Sequence, residues 1–330
     1  MEKKCFILLY SICFFLCAKA QIRYADKIRY QEVIKISKVM GDNIWIGFSE
    51  QPFPMLFIYD SVEYLVNHPN PPADYKVAGF DTVLNLTVYK NKRTWPPVLL
   101  ACAPINNYPT LLASTPEALK TGSSTWIIKL LHERFHQNQF FDSLLRDLNA
   151  LKLKVTDATF PYDSPKVNER YKNYRNSLAM ALENLNNSKF RKSFKNYIKQ
   201  KRKFKKCLSN DEYQYFSLML WMEGISRYTE FKFLEQLRNY YIPASILWLK
   251  DFIPFSQLEE KKLAKEHSYL KELDLNVGKK NCWYTIGYAE GILLDKVVKN
   301  WRLLYPKKKF NIDQYYKKGI DHSLRKQGRK

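Results

Sequence analysis

Long apolar runs are nearly missing from this 330-residue chain. After its opening stretch, no segment is apolar enough to cross a bilayer as a helix, so the mature product is expected to be soluble or peripheral. The opening itself reads Met-Glu-Lys-Lys, then the apolar run from Cys5 to Cys17, then Ala18-Lys19-Ala20. A charged start, a short hydrophobic stretch and an A-x-A end make residues 1–20 a secretory signal peptide cleaved before Gln21. The product is then expected to be secreted or periplasmic. Cys17 raises the thought of a lipoprotein, but Leu16 stands where a lipidation signal wants a small residue.

Cysteine is also scarce. Three of the six lie in the leader, and Cys102, Cys207 and Cys282 remain. Three permit at most one disulfide, and their spacing matches no cysteine-based zinc site, so any metal must be held by other residue types. Acidic residues are outnumbered, 32 against 54 basic, for a net charge of +22. Loss of the leader removes Lys3, Lys4, Lys19 and Glu2 and leaves +20. Such an excess favours anionic surfaces, and an anionic cell-surface polymer is one candidate partner, but a lysine-rich genome accounts for the charge equally and is the simpler reading. No internal repeat and no low-complexity linker divides the chain. Its length suits one large domain or two intimate ones, and aromatics at 15% provide for a substantial core.

What is present is concentrated in Thr125–Phe140, TWIIKLLHERFHQNQF. His132, Glu133 and His136 form an H-E-x-x-H array inside an apolar helical segment. Residues i and i+4 sit about 40° apart around a helix and about 6 Å along it, so two imidazoles can grip one ion from the same side. Glu133 then reaches a water on that ion. Zinc suits neutral imidazole and lowers the pKa of bound water to about 7, which supplies a nucleophile near neutral pH. With five histidines and 32 acidic residues, chance produces such an array on the order of 0.01 times per chain of this length. Trp126, Ile127, Ile128, Leu130, Leu131 and Phe135 make the helix mostly buried, and a buried helix does not carry His-Glu-His without partners. Arg134 is the odd residue, because the x positions of such arrays are usually uncharged.

Around this helix the chain reads as α+β. Residues 21–115 form an N-terminal mixed α/β part, residues 116–305 a helical zinc-binding part, and residues 306–330 a basic tail of low order. Strands are expected at 44–48, 55–59, 82–89 and 98–103. Asn67–Pro72 is a loop, and its His68 reads as a surface residue. Tyr108–Thr115 is a strand directly before the metal helix, either an exposed edge to which the main chain of an extended substrate could add or a paired interior strand without a ligand. Ser123, Ser124 or Thr125 is the expected helix cap. Helix continues over 141–153 and 167–207. The basic, aromatic-interleaved run Lys189–Lys206 is read as a solvated helix face, with no nucleic-acid partner expected.

A third zinc ligand must come from elsewhere. Glu223 lies inside the apolar run Leu218–Ile225, where a charge is expensive unless it is paired, and Gly224 beside it lets another helix approach closely. With Tyr228 and Glu230 these residues form E-G-x-x-x-Y-x-E. The two motifs together resemble the gluzincin metallopeptidases, distantly the aminopeptidase N-like enzymes. The resemblance implies a zincin-like fold, His132, His136 and Glu223 as zinc ligands and Glu133 as general base. It covers only residues near 125–140 and 216–232. Between His136 and Glu223 lie 86 residues, far more than in aminopeptidases. No G-x-M-E-N-type exopeptidase signature precedes the helix, and Arg227 occupies the place of the thermolysin-style E-x-x-x-D aspartate.

Glu230, two turns beyond Glu223, is too far along the helix to share the ion, and is placed as a cleft or buttressing residue. Tyr284, Tyr288 or His267 is the candidate oxyanion donor, and Trp283–Trp301 is a helix expected to pack under the site. The function these readings imply is a secreted zinc-dependent peptidase acting on a peptide or protein substrate. The alternative is a non-catalytic zincin-like binder of an anionic cell-surface polymer.

Overall fold

The computed structural model describes residues 21–141 and 144–319. The leader expected at 1–20 and the end of the expected basic tail fall outside them. The chain begins with α1 (Tyr24–Ile44), whose Ile28, Val33 and Ile36 are buried at helical spacing and whose buried Asp26 binds Arg23 and Arg29. This helix lies in the part expected only as mixed α/β. Its end also corrects the strand expected at 44–48. Ile44 closes α1, Trp45 caps it, and Gly47 turns at φ +76°. A short apolar run cannot be told from a buried helix end by periodicity. Trp45 instead drives into the core, its indole donating to Thr229 Oγ1 at 2.9 Å.

Six strands follow: β1 (Met55–Ile58), β2 (Val62–Val66), β3 (Lys76–Asp81), β4 (Leu86–Lys92), β5 (Leu100–Ile105) and β6 (Tyr108–Ser114). They form one mixed sheet in the order β3-β4-β2-β1-β6-β5, with only the β1–β6 pair parallel. β1 is apolar at every position because both its faces are covered. Met55 and Phe57 join the main core, while Leu56 and Ile58 join a small second cluster with Leu65, Ile105 and Leu112. The strand expected over 82–89 is half a hairpin turn. Asp81 Oδ1 accepts the N–H groups of Val83 and Leu84, and Asn85 turns at φ 55°.

β5 and β6 are joined by Asn106-Asn107, both at positive φ, a two-residue turn that matches strand twist. The strand directly before the metal helix, β6, is therefore interior, between β1 and β5. The edge on this side of the sheet is β5, and β3 is the other. Ser114 N donates to Leu99 O at 2.8 Å. Alternation along an antiparallel pair then turns the N–H and C=O groups of Leu100 and Cys102 outward. Pro104, at the next outward position, has no N–H to leave unpaired.

The rest is helical: α2 (Ser123–Phe141), α3 (Leu144–Leu151), α4 (Pro165–Glu183), α5 (Phe190–Cys207), α6 (Asn210–Met219), α7 (Ile225–Leu237), α8 (Ala244–Leu247), α9 (Phe255–Glu272), α10 (Leu275–Gly278), α11 (Asn281–Val297) and α12 (Asp313–Gly319). A π-turn at Leu220–Gly224 joins α6 to α7, and a 3-10 turn at Trp301–Leu304 follows α11. The expected 167–207 helix is two, broken at 184–189. α5 does put most of its basic residues in solvent, on a seam of Phe190, Phe194, Tyr197 and Phe204. Lys201 is the exception, buried against Glu290 at 2.7 Å and Asp313 at 2.6 Å. The tail expected after 306 is partly core: Ile312, Tyr315 and Tyr316 are buried, and Trp221 Nε1 donates to Tyr315 OH at 3.1 Å. One continuous core runs from Ile22 to Tyr316 and links sheet and helices. No described helix is long and apolar enough to cross a membrane.

Candidate metal centre

α2 lies across β5 and β6, with Trp126, Ile127, Leu130, Leu131 and Phe135 wholly buried. Its first turn is tied from outside. Asp251 accepts from Ser123 N at 2.9 Å and Ser123 Oγ at 2.6 Å, and Ser124 Oγ donates to Ile253 O. The capping acceptor thus comes from Asp251, and not from the serines themselves. Arg134 has a structural task. Two positions beyond His132 it points about 160° away around the helix, and its guanidinium donates to the carbonyls of Phe48, Gln51 and Pro52 at 2.6–3.0 Å. It holds the 48–54 segment and leaves the histidine face untouched.

On that face His132, His136 and Glu223 converge. Their donor atoms are His132 Nε2–His136 Nε2 at 3.1 Å, His136 Nε2–Glu223 Oε2 at 3.3 Å and His132 Nε2–Glu223 Oε2 at 3.5 Å. A tetrahedral ion with ligands at about 2.0–2.1 Å has donors about 3.3–3.4 Å apart. The triangle is one face of such a tetrahedron, so the three residues can hold a metal ion and leave a fourth position open. The two imidazoles are buried and Glu223 nearly so.

The outer nitrogens show how both rings are set. Glu230 accepts from His132 Nδ1 at 2.8 Å. A carboxylate only accepts, so Nδ1 carries hydrogen and a neutral ring turns its Nε2 lone pair inward. Gln139 does the same for His136. Its amide nitrogen faces Met222 O at 3.4 Å and Tyr305 OH at 2.5 Å. A backbone carbonyl cannot donate, so Gln139 Oε1 is the atom that accepts from His136 Nδ1 at 2.7 Å. Glu230 is itself held by Arg227 at 3.0 Å and Lys262 at 2.7 Å. It buttresses the site and does not line the cleft. Gln139 and Lys262 were not foreseen. Gln139, three residues after His136, carried a spacing signal, whereas Lys262 on α9 carried none.

Burial alone would keep His132 neutral, yet its contacts with Glu223 and Glu230 bring its pKa up to about 9. His136 is raised in the same way by Glu223. Conversely, burial favours the neutral form of Glu223 and Glu230, and the neighbouring cations and histidines overcome it and hold both carboxyls well below the usual range. Glu133 behaves differently. It is half-buried, makes no hydrogen bond or ion pair among the described residues, and burial pushes its carboxyl up. Its carboxyl lies beside the three-residue cluster and is not part of it.

Glu223 reaches the histidines from the π-turn, an irregularity common at functional sites. The turn is clamped by α11. A Cβ on Gly224 would come 2.5 Å from Gly287 Cα, so the two helices touch backbone to backbone as the glycine had led us to expect. One turn before Gly287, Tyr284 stacks on His132 with centroids 6.0 Å apart. Burial and the Glu223 carboxylate keep its phenol protonated. Tyr288 is not at the site: it is buried against Phe231, with centroids 4.4 Å apart. His267 is exposed on α9, outside the cluster. His68 is buried, not on the surface as expected, with Nε2 3.0 Å from Ile105 O. Tyr228 donates to Asp295 beneath α7, at 2.7 Å. Cys102, Cys207 and Cys282 are all free thiols.

No protein family, curated protein or solved structure matches this chain.

Proposed function

We propose that this protein is an exported, zinc-dependent peptidase of zincin-like fold, with His132, His136 and Glu223 as the zinc ligands. The observation that carries the reading is the donor triangle, closed at 3.1–3.5 Å by residues from two helices, with each imidazole's outer nitrogen already paired. A structural histidine pair has no need of that convergence, nor of an unpaired Glu133 beside it.

Zinc bound here would polarise a scissile carbonyl and acidify a water. Glu133 takes the proton from the attacking water and passes it to the departing amine, and its raised carboxyl pKa suits both transfers. Tyr284 donates its phenolic hydrogen to the oxygen that gains charge as the carbonyl carbon becomes tetrahedral. The outward N–H and C=O groups of Leu100 and Cys102 accept an extended substrate as a further strand beside the metal helix. Cys102 is close enough to Glu133 for that carboxylate to add to burial in raising its thiol pKa.

The test is a diverse peptide library incubated with zinc-loaded wild type and with Glu133→Gln. The variant keeps its zinc and its fold and loses about 10²–10⁴-fold in rate. Glu223→Ala loses the zinc instead. If no peptide in the library is cut by zinc-loaded wild type, the peptidase reading fails in favour of the anionic-polymer binder.

A further inference from the structure

Along α2 the face that carries Glu133 continues backwards through Lys129, one turn earlier, to Thr125. These two residues, with Tyr284 at the other end, line a cleft of about 600 Å³. Tyr284 is the stacking partner of His132, so across that ring the cleft adjoins the metal centre, whose own residues do not line it.

Its walls are strongly basic. Lys129, Arg227, Lys262 and Lys265 line it, with Glu266 as the one acidic residue. Arg227 and Lys262 hold Glu230 underneath, and Arg227 also comes within 3.6 Å of Glu266. Two carboxylates therefore serve four cations. Lys129 and Lys265 form no ion pair among the described residues, and Arg227 Nε is buried without a hydrogen-bond partner. Lys129 is half-buried, and its charged form is disfavoured by burial first and by Lys262 second. Cations crowded into a partly desolvated cleft repel one another, and an anion placed between them removes that cost.

We infer that this cleft is a subsite for a carboxylate, so that the preferred substrate is a peptide with a carboxylate one or two residues from the scissile bond. This inference rests on the peptidase reading. One turn of α2, about 6 Å, separates Lys129 from Glu133, and adjacent residues of an extended peptide are about 3.3 Å apart. A substrate whose reacting carbonyl lies at the metal thus brings a neighbouring side chain, or a C-terminal carboxylate, to Lys129. The aliphatic side chains of Leu258, Leu273 and Val277 line the same cleft and give its methylenes an apolar surface.

The experiment measures binding of fluorescein-labelled peptides to zinc-loaded full-length Glu133→Gln protein, in which cleavage is suppressed. Three peptides are compared: one amidated with an internal Glu, its Gln isostere, and the Gln peptide with a free C-terminal carboxylate. We expect one carboxylate-bearing peptide to bind about tenfold more tightly than the amidated Gln peptide at low salt. The advantage should shrink at 0.5 M salt, where screening is nearly complete within a few ångströms. Adding Lys129→Gln and Lys265→Gln should reduce the ratio to near one. Lys265→Gln alone, at an exposed position, should reduce it in part and guards against misfolding of the double variant. Which peptide gains tells a side-chain carboxylate from a terminal one. Equal binding of all three peptides, or a preference that survives both lysine substitutions, overturns the inference. The peptidase reading is scored separately on wild type. Selective binding without cleavage leaves the carboxylate subsite standing and removes the peptidase. Equal cleavage of Glu and Gln peptides with equal Kd does the reverse.

Discussion

Metal uptake at this centre should be tied to proton release, and the structure sets the size of the effect. In the metal-free protein the charged form of His132 is disfavoured by burial, but Glu223 and Glu230 outweigh it and bring its pKa to about 9. A metal needs the Nε2 lone pair, so below pH 9 it must displace that proton. At pH 7 the displacement costs about 3 kcal/mol, or about a hundredfold in affinity relative to the plateau above pH 9. Zinc affinity should therefore rise about tenfold per pH unit between 7 and 9 and level off above, and the shift on His136 in the same direction steepens the slope. The stability of the metal-free protein moves oppositely. A pKa raised above the unfolded value of 6.5 contributes stability that is complete below about 6.5 and is lost as pH rises through about 9. The depressed Glu223 and Glu230 contribute above the ordinary carboxylate pKa and lose that contribution only as pH falls below it. The zinc-induced gain in Tm should then grow from pH 7 to pH 9. Chelator-competition titrations across that range give the slope, and calorimetry in two buffers of different ionisation enthalpy counts the protons. A flat affinity between pH 7 and 9 would refute the coupling.

Two substitutions probe how the site is assembled. Gly287→Ala puts a methyl about 2.3 Å from Gly224 Cα, a backbone clash that neither helix can avoid by side-chain rotation. It should cost about 1–3 kcal/mol, or roughly 5 °C in Tm, and weaken zinc binding by moving Glu223; an unchanged thermal melt would show that the helices separate freely. Tyr284→Phe should keep fold and zinc while lowering kcat about 10²-fold with KM little changed, as expected for a donor used only in the transition state. A variant that cuts at the wild-type rate removes Tyr284 from the chemistry.

The convergence of the histidine face was legible because its information is local. His132, Glu133 and His136 lie within one turn and a half, and a lone Glu in an apolar helix announces that something must pair with it. The coarse α+β order was legible for the same reason, since β1 and β5 are continuous apolar runs and the helices carry a 3.6-residue period. What failed depends on distant partners. Ile44–Phe48 has strand-like composition, but Trp45 is needed as a core anchor against Phe135 and Tyr305. His68, in a polar loop, is buried because Ile105 and Tyr108 come to it from the β5–β6 hairpin. The tail beyond Pro306 looked too basic to fold, yet Tyr315 and Tyr316 supply the surface that covers Trp301 and Tyr197. The sequence left β6 open as edge or paired interior strand, and the structure makes it interior. The tight Asn106-Asn107 turn gives the edge to β5 instead.

The separation of 86 residues between His136 and Glu223 looks like the weakest point of a two-part site, but closure entropy grows only as the logarithm of loop length. Each doubling adds about 0.6 kcal/mol. A long excursion costs little more than a short one, provided that it orders itself and returns in register. Both conditions are met. The excursion folds as α3–α6, with α4 and α5 packed together and α4 against α11. Its return is fixed by the capping box of Ser209 and Glu212 and by the glycine contact of Gly224 with Gly287. The second metal-site helix is thus held by α11, which also presents Tyr284. The histidines, Glu223 and the phenol then move as one unit, because the contact that admits Glu223 is made by the helix that aims Tyr284.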